Sequence, residues 1–331
     1  MSKPLISVCI VGYNQSLLFS RALHWLAKQD MPKEDWELIV VDDCGSEDWE
    51  ALLEPYREVI NIRYFRLEHD MGWRGCTASY NFAFEQARGE ILMESNPHLL
   101  LPKNAVRTLY IAHKTELAQS HNGRMWVSLR GYCIPREDMP HFDTVDWRED
   151  LENLKKLPHF MNPWTLLWED ESKFYGSHLC CSVPRWLWFD EIAVTEHRGI
   201  VNERLGFPEV HCYGACDCWY AGRRQELGIL SVNVHQPMFY HQDHWTHLEL
   251  AKRFNVKSLL SEDGFSEIVA GWWGKPWKPV NPDGLWPAPP VPWESYIPGS
   301  GELPKLRPEF EFYYEQAEEL CPWLAEELGR S

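Results

Sequence analysis

No run of apolar residues in this chain approaches the roughly 18 that a membrane-spanning helix requires, so no membrane insertion is expected. Nor does a basic, then apolar leader precede the first apolar segment. Met1-Ser2-Lys3-Pro4 runs straight into it, which predicts a cytoplasmic protein. Paired Cys-x-x-Cys spacing is missing too. Cys180-Cys181 and the cluster Cys212, Cys216, Cys218 do not repeat a zinc pattern, so the ten cysteines read as free thiols of a reducing compartment. Basic residues are scarce: 32 Lys and Arg stand against 49 Asp and Glu, a net charge of -17. Such a surface repels nucleic-acid phosphates and anionic membranes at long range. No internal repeat is present.

Tryptophan, by contrast, is abundant, with 18 in 331 residues. Some of these indoles fill a core, and others suit stacking on sugar or base rings. The apolar, β-branched run Leu5–Val11 stops at Gly12-Tyr13-Asn14. Ser16–Gln29 then places Leu18, Ala22, Trp25, Leu26 and Gln29 on one helical stripe. A second strand, from Trp36 to Val41, ends at Asp42-Asp43-Cys44-Gly45-Ser46. Asn61–Leu67 alternates as a third strand, and Thr77–Ala87 reads as a helix with Phe82, Ala83 and Gln86 on one face. A fourth strand leads from Gly89 to Asn96-Pro97-His98, and Pro102 opens a helix through Ala118. Alternation of this kind predicts an α/β fold, a mostly parallel sheet with helices on both faces. Its ligand would sit at the carboxyl ends of the strands, where Asn14, Asp42, Asp43 and Asn96 gather.

Beyond Met125 the pattern turns to short mixed strands and aromatic loops, with Pro140–Glu171 expected as a mobile loop facing an acceptor. Gly214–Glu226 has helical character. After Gly271 the chain becomes rich in proline and tryptophan, as in Trp272-Trp273-Gly274-Lys275-Pro276-Trp277, and from about Pro308 to Leu328 it reads as an acidic helix.

Three segments together resemble the inverting, GT-A-type nucleotide-sugar glycosyltransferases of family 2. They are Ser7–Asn14, Glu37–Asp48, and Asp70-Met71-Gly72-Trp73-Arg74-Gly75 followed by Ala78, Asn81 and Ala87-Arg88-Gly89-Glu90. They cover most of residues 5–102 in the family's order and spacing. Tyr213–Arg224 is similar to the family's Gly-x-Glu-Asp helix, with Cys216 where Glu is usual. Phe239–His244 is similar to its closing His segment. The resemblance implies a GT-A fold, Rossmann-like, over 1–250, with 1–120 binding the nucleotide-sugar and 121–250 the acceptor. Residues 251–331 have no counterpart in the family and are expected to form a proline- and tryptophan-rich extension with a C-terminal helix, packed on the body.

It also implies chemistry. Asp42 or Asp43 would accept hydrogen bonds from base and ribose, with Asp42 assigned to the base by resemblance and Tyr13 and Asn14 lining the same pocket. The bland alternative for Asp42 is a turn or cap carboxylate. Asp217 would be the general base that deprotonates the acceptor hydroxyl; the alternative is a charge at a helix N-terminus. The family's Asp-x-Asp, which binds a divalent cation, is replaced by Asn96 and His98. Two outcomes stay open. Mn²⁺ or Mg²⁺ is held by His98 and His241, with Glu94 restoring a charge, or Arg74, Lys103 or Arg223 supply positive charge without metal. The expected donor is a UDP-sugar, and the acceptor is a hydroxyl of a saccharide, small molecule, protein or hydroxymethylated DNA base, the last disfavoured by the acidic charge. A fold retained for binding without catalysis is the competing class. A nucleotidyltransferase fits less well, because Gly12-Tyr13-Asn14-Gln15-Ser16 has no glycine-rich phosphate loop with a basic residue.

Overall fold

The computed structural model describes residues 3–69, 76–160, 180–193, 196–197, 200–201, 206–207, 220, 223–224 and 227–242. The expected strands all form. β1 (Ile6–Gly12), β2 (Trp36–Asp42), β3 (Ile62–Arg66) and β4 (Ile91–Ser95) are mutually parallel in the spatial order β3-β2-β1-β4. The sheet continues through β7 (Cys180–Pro184), β6 (Met125–Ile134), β10 (Leu230–Gln242) and β5 (Leu99–Leu100). β7 runs antiparallel to both β4 and β6, so the eight-stranded sheet is mixed. Two further short strands, β8 (Glu196–His197) and β9 (Ile200–Val201), pair apart from it.

β1 and β2 are apolar throughout because both faces are covered. Residues alternate between faces. Val8 and Ile10 join one cluster with Phe19, Leu23, Leu26 and Trp49, while Cys9 and Val11 join another with Tyr80, Ala83, Phe84 and Trp188. Helix α1 (Ser16–Leu26) and the short α2 (Trp49–Leu53) cover the first face, and α3 (Thr77–Gln86) the second.

Details differ from the sequence expectation. The buried stripe of α1 is Phe19, Ala22, Leu23, Trp25 and Leu26, with Leu18 only half-buried. In α3 the stripe is Tyr80, Ala83, Phe84 and Ala87, and Phe82 instead meets Phe65 edge-on at 5.3 Å. The helix expected over 102–118 is broken into α4 (Ala105–Ala112) and α5 (Glu116–Ser120), because the Thr115 hydroxyl accepts from the Ala118 amide and starts a new helix. The described part of 140–171 is not a loose loop. It runs through two stretches of 3₁₀ helix, and Phe142, Trp147, Leu151 and Leu154 are buried in the main core. Six described cysteines are free thiols, four of them buried. No helix among the described residues is long and apolar enough to cross a membrane. The expected helix at 308–328 and the extension from 251 lie outside the described residues, as does most of 214–226.

A candidate nucleotide-sugar crevice at the strand switch point

The chain goes from β1 outward to β2 and β3, then crosses back to β4 on the other side of β1. In such sheets a reversal of this kind marks the carboxyl ends of β1 and β4 as the usual ligand position. Gly12-Tyr13-Asn14 leaves β1 there and Asn96-Pro97-His98 leaves β4. A Cβ on Gly12 would lie 2.6 Å from Trp49 Cη2 and 3.2 Å from Pro97 Cγ, so glycine lets the two turns close on the Trp49 ring.

Asn14 and the β2 turn are braced together. Asn14 has φ 50°, and its Oδ1 accepts from the backbone amides of Ser46 at 2.8 Å and Glu47 at 3.2 Å. Its Nδ2 is buried with no hydrogen-bond partner among the described residues. Glu47 returns the tie: its carboxylate accepts from Ser16 N and Ser16 Oγ, both at 2.8 Å, at the positive end of α1.

The two aspartates diverge. Asp42 is completely buried, with Oδ1 accepting from Gly45 N at 2.7 Å and Oδ2 from Arg66 Nη1 at 3.0 Å and Tyr64 Oη at 3.2 Å. Burial raises its pKa, opposed by the Gly45 amide, Arg66 and Tyr64. The same burial, with the Asp42 charge, pushes the Tyr64 phenol up to about 12, so Tyr64 stays a donor. Asp43 accepts from Ser79 Oγ at 2.7 Å and faces His69 Nε2 at 3.3 Å. Sequence reasoning missed Tyr64, Arg66 and Glu47. The period-2 pattern of β3 does place Tyr64 and Arg66 on one face, and the β2–β3 register sets Arg66 opposite Asp42.

On the β4 side, Tyr80 Oη lies 2.8 Å from Asn96 Oδ1 and 3.0 Å from Ser95 O. Burial, then the nearby Glu94 charge, holds the Tyr80 phenol well above its ordinary range, so it donates. His98 and His241 are brought together, rings edge-to-face with centroids 4.8 Å apart, and His241 Nδ1 lies 3.6 Å from Cys133 Sγ. Gln242 fixes this corner by donating to His98 O from both its amide and its side chain. Glu94 shares the β4 face of Leu92, which packs with Tyr80, and its carboxylate accepts from Cys181 Sγ at 3.7 Å. Arg223 donates to the carbonyls of Glu191 and Ile192, and Lys103 is exposed. Asp217 and Arg74 lie outside the described residues.

These residues do not fit a hard divalent cation. Such ions take anionic oxygen ligands, whereas this position offers imidazoles, a thiol and an amide oxygen already bonded to Tyr80. Among the described residues, no group of three or more His, Cys, Asp or Glu could hold a metal ion.

Residues 7–123 match the family described as Glycosyl transferase family 2. The poly(ribitol-phosphate) beta-N-acetylglucosaminyltransferase TarS of Staphylococcus aureus is 37% identical over 87 residues, 26% of this chain but only 15% of that protein. Validoxylamine A glucosyltransferase of Streptomyces hygroscopicus is 30% identical over 110 residues, 33% of this chain and 26% of that protein. The crystal structure of S. aureus TarS 1-349 in complex with UDP-GlcNAc superposes with a TM-score of 0.56 at 18% identity, covering 98% of this chain and 83% of that one. That likeness shows a shared GT-A fold. The match to glycosyl transferase family 2 thus falls on residues 7–123, the stretch that carries the four parallel strands.

Proposed function

We propose that this protein is an inverting glycosyltransferase that moves a sugar from a UDP-sugar to an acceptor hydroxyl. The observation that carries the reading is that Asn14, Asp42, Asp43 and Asn96 stand at the carboxyl ends of β1, β2 and β4, beside the strand reversal, in the stretch that matches family 2. The uridine would lie over the β1 and β2 ends, with the buried Asn14 Nδ2 as a hydrogen-bond donor left for the ligand. Asp217 would act as general base. The acceptor oxygen attacks the anomeric carbon opposite the leaving group, its proton passes to the Asp217 carboxylate, and the bond to the diphosphate breaks with its electron pair on the departing UDP. Because the Asn96 and His98 position suits no hard cation, departure of the diphosphate is taken to rely on donors of the chain. The similarity to TarS and to a glucosyltransferase supports a sugar or polyol hydroxyl as acceptor, and the charge of -17 counts against nucleic acid.

Calorimetric titration with UDP, CDP, GDP and ADP, each in Mn²⁺, Mg²⁺ or EDTA, tests this. UDP should bind in preference to the others, with an affinity that EDTA leaves unchanged. Binding that vanishes in EDTA would restore a metal role to His98 and His241. No binding of any nucleotide would refute the reading.

A further inference from the structure

We propose that the chain has a second binding place, at the opposite end of the sheet from the strand reversal, and that it takes a saccharide ring. It is a cleft of about 450 Å³ at the amino ends of the strands, within the size range of small-molecule sites. Lys3 and Glu90 stand shortly before β1 and β4, Gly123 shortly before β6, and Pro184 ends the antiparallel β7. The five residues of β4, at about 3.3 Å each, separate Glu90 from Asn96. One sugar cannot occupy both ends.

Trp186 singles this cleft out. Its side chain is 42% exposed, whereas Trp25, Trp36, Trp49, Trp126, Trp147 and Trp188 are all buried. The indole lies over Gly123, where a Cβ would stand 3.6 Å from Cζ2 and 3.9 Å from Nε1. Gly123 has φ 72°, a conformation glycine adopts freely, and it puts no side chain against the ring. An exposed indole forgoes the burial that the other six gain, and a flat apolar ligand face would restore it.

The rim around the indole mixes donors with acceptors. Arg185 Nε donates to Ala87 O at 3.2 Å, and its guanidinium packs over the Phe189 ring at 4.6 Å, which holds the group in place. Lys114 pairs with Glu90 at 2.7 Å, and both side chains are half exposed. Lys3 and Asp190 are exposed and have no partner among the described residues. A saccharide ring presents a face of C–H groups and an edge of hydroxyls, each of which both donates and accepts. The face suits Trp186, and the hydroxyls suit ammonium and guanidinium donors set beside carboxylate acceptors. A phosphate would be repelled by Glu90 and Asp190. A wholly apolar ligand would cover these charges without pairing them.

The test uses the full chain labelled with 5-fluorotryptophan, in which the Trp186 fluorine signal is the one missing from Trp186→Phe. Maltotetraose, cellotetraose and chitotetraose are titrated in, with and without UDP, and inorganic phosphate serves as the anion control. At least one tetrasaccharide should shift the Trp186 signal saturably, and UDP should leave that shift unchanged. Calorimetry should then show that sugar binding about tenfold more weakly to Trp186→Ala, the value of one lost ring contact. Asp190→Ala should weaken it about fivefold, the value of one hydrogen bond. Both variants should melt near wild type, because both side chains are exposed. The proposal is overturned if no sugar moves the Trp186 signal, if phosphate alone moves it, if UDP abolishes the shift, or if either variant binds as tightly as wild type. Should Trp186→Ala fail to fold, Asp190→Ala decides. None of these results touches the UDP-sugar reading, which the nucleotide titration tests by itself.

Discussion

Replacing Asn14 by alanine removes the oxygen that ties the first strand's turn to the second. Two backbone amides lose their acceptor, Ser46 at 2.8 Å and Glu47 at 3.2 Å. Each such bond contributes about 1 kcal/mol, and the site is partly buried, so about 2 kcal/mol goes with the oxygen. Alanine must also adopt φ 50°, a left-handed conformation that costs it roughly 1 kcal/mol more than asparagine. Against this, the substitution removes Nδ2, a buried donor without a partner among the described residues, whose loss returns a fraction of the cost. The net expectation is about 2–3 kcal/mol, or roughly 5 °C in melting temperature. Asn14→Gly separates the terms, since glycine loses the hydrogen bonds but takes the left-handed backbone freely. It should be about 1 kcal/mol more stable than Asn14→Ala. Urea denaturation followed by circular dichroism measures both, and titration with UDP measures whether the loosened turn weakens binding. An Asn14→Ala protein within about 0.5 kcal/mol of wild type would show that the brace contributes little. A glycine variant no better than alanine would refute the backbone part.

Asp217→Asn should leave UDP affinity near wild type while turnover falls on the order of 10²-fold or more, since the amide cannot take the acceptor's proton; unchanged turnover removes Asp217 from the mechanism. His113 supplies a pH dependence. It is buried against Ser182 Oγ at 2.9 Å, and desolvation lowers its pKa to about 4 from 6.5. The folded state holds it neutral while the unfolded chain binds a proton below about 6.5, so its contribution is complete above that pH. It is lost as pH falls toward 4, by up to about 3 kcal/mol in total. Denaturation curves from pH 7 to pH 4 should flatten in His113→Asn, and an identical slope in both proteins would refute the assignment.

What could be read from the residues alone was whatever repeats within about ten positions. The apolar runs of β1 and β2, the alternation of β3 and the stripes of α1 and α3 each declare an element locally, and their order implies a parallel sheet with a crevice at its carboxyl ends. The segment 140–160 escaped this reading because 3₁₀ turns have no clean amphipathic period, and its burial depends on Phe142 and Trp147 finding the core. The site residues were legible as types and not as roles. Asp42 was visible at a strand end, but that its charge is sealed beneath Gly45 and spent on Tyr64 and Arg66 follows from the β2–β3 register. The meeting of His98 with His241 likewise needs β10 to pair with β5. Elements follow from local periodicity, whereas contacts between strand ends are set by register and sheet order, and only the folded chain decides those.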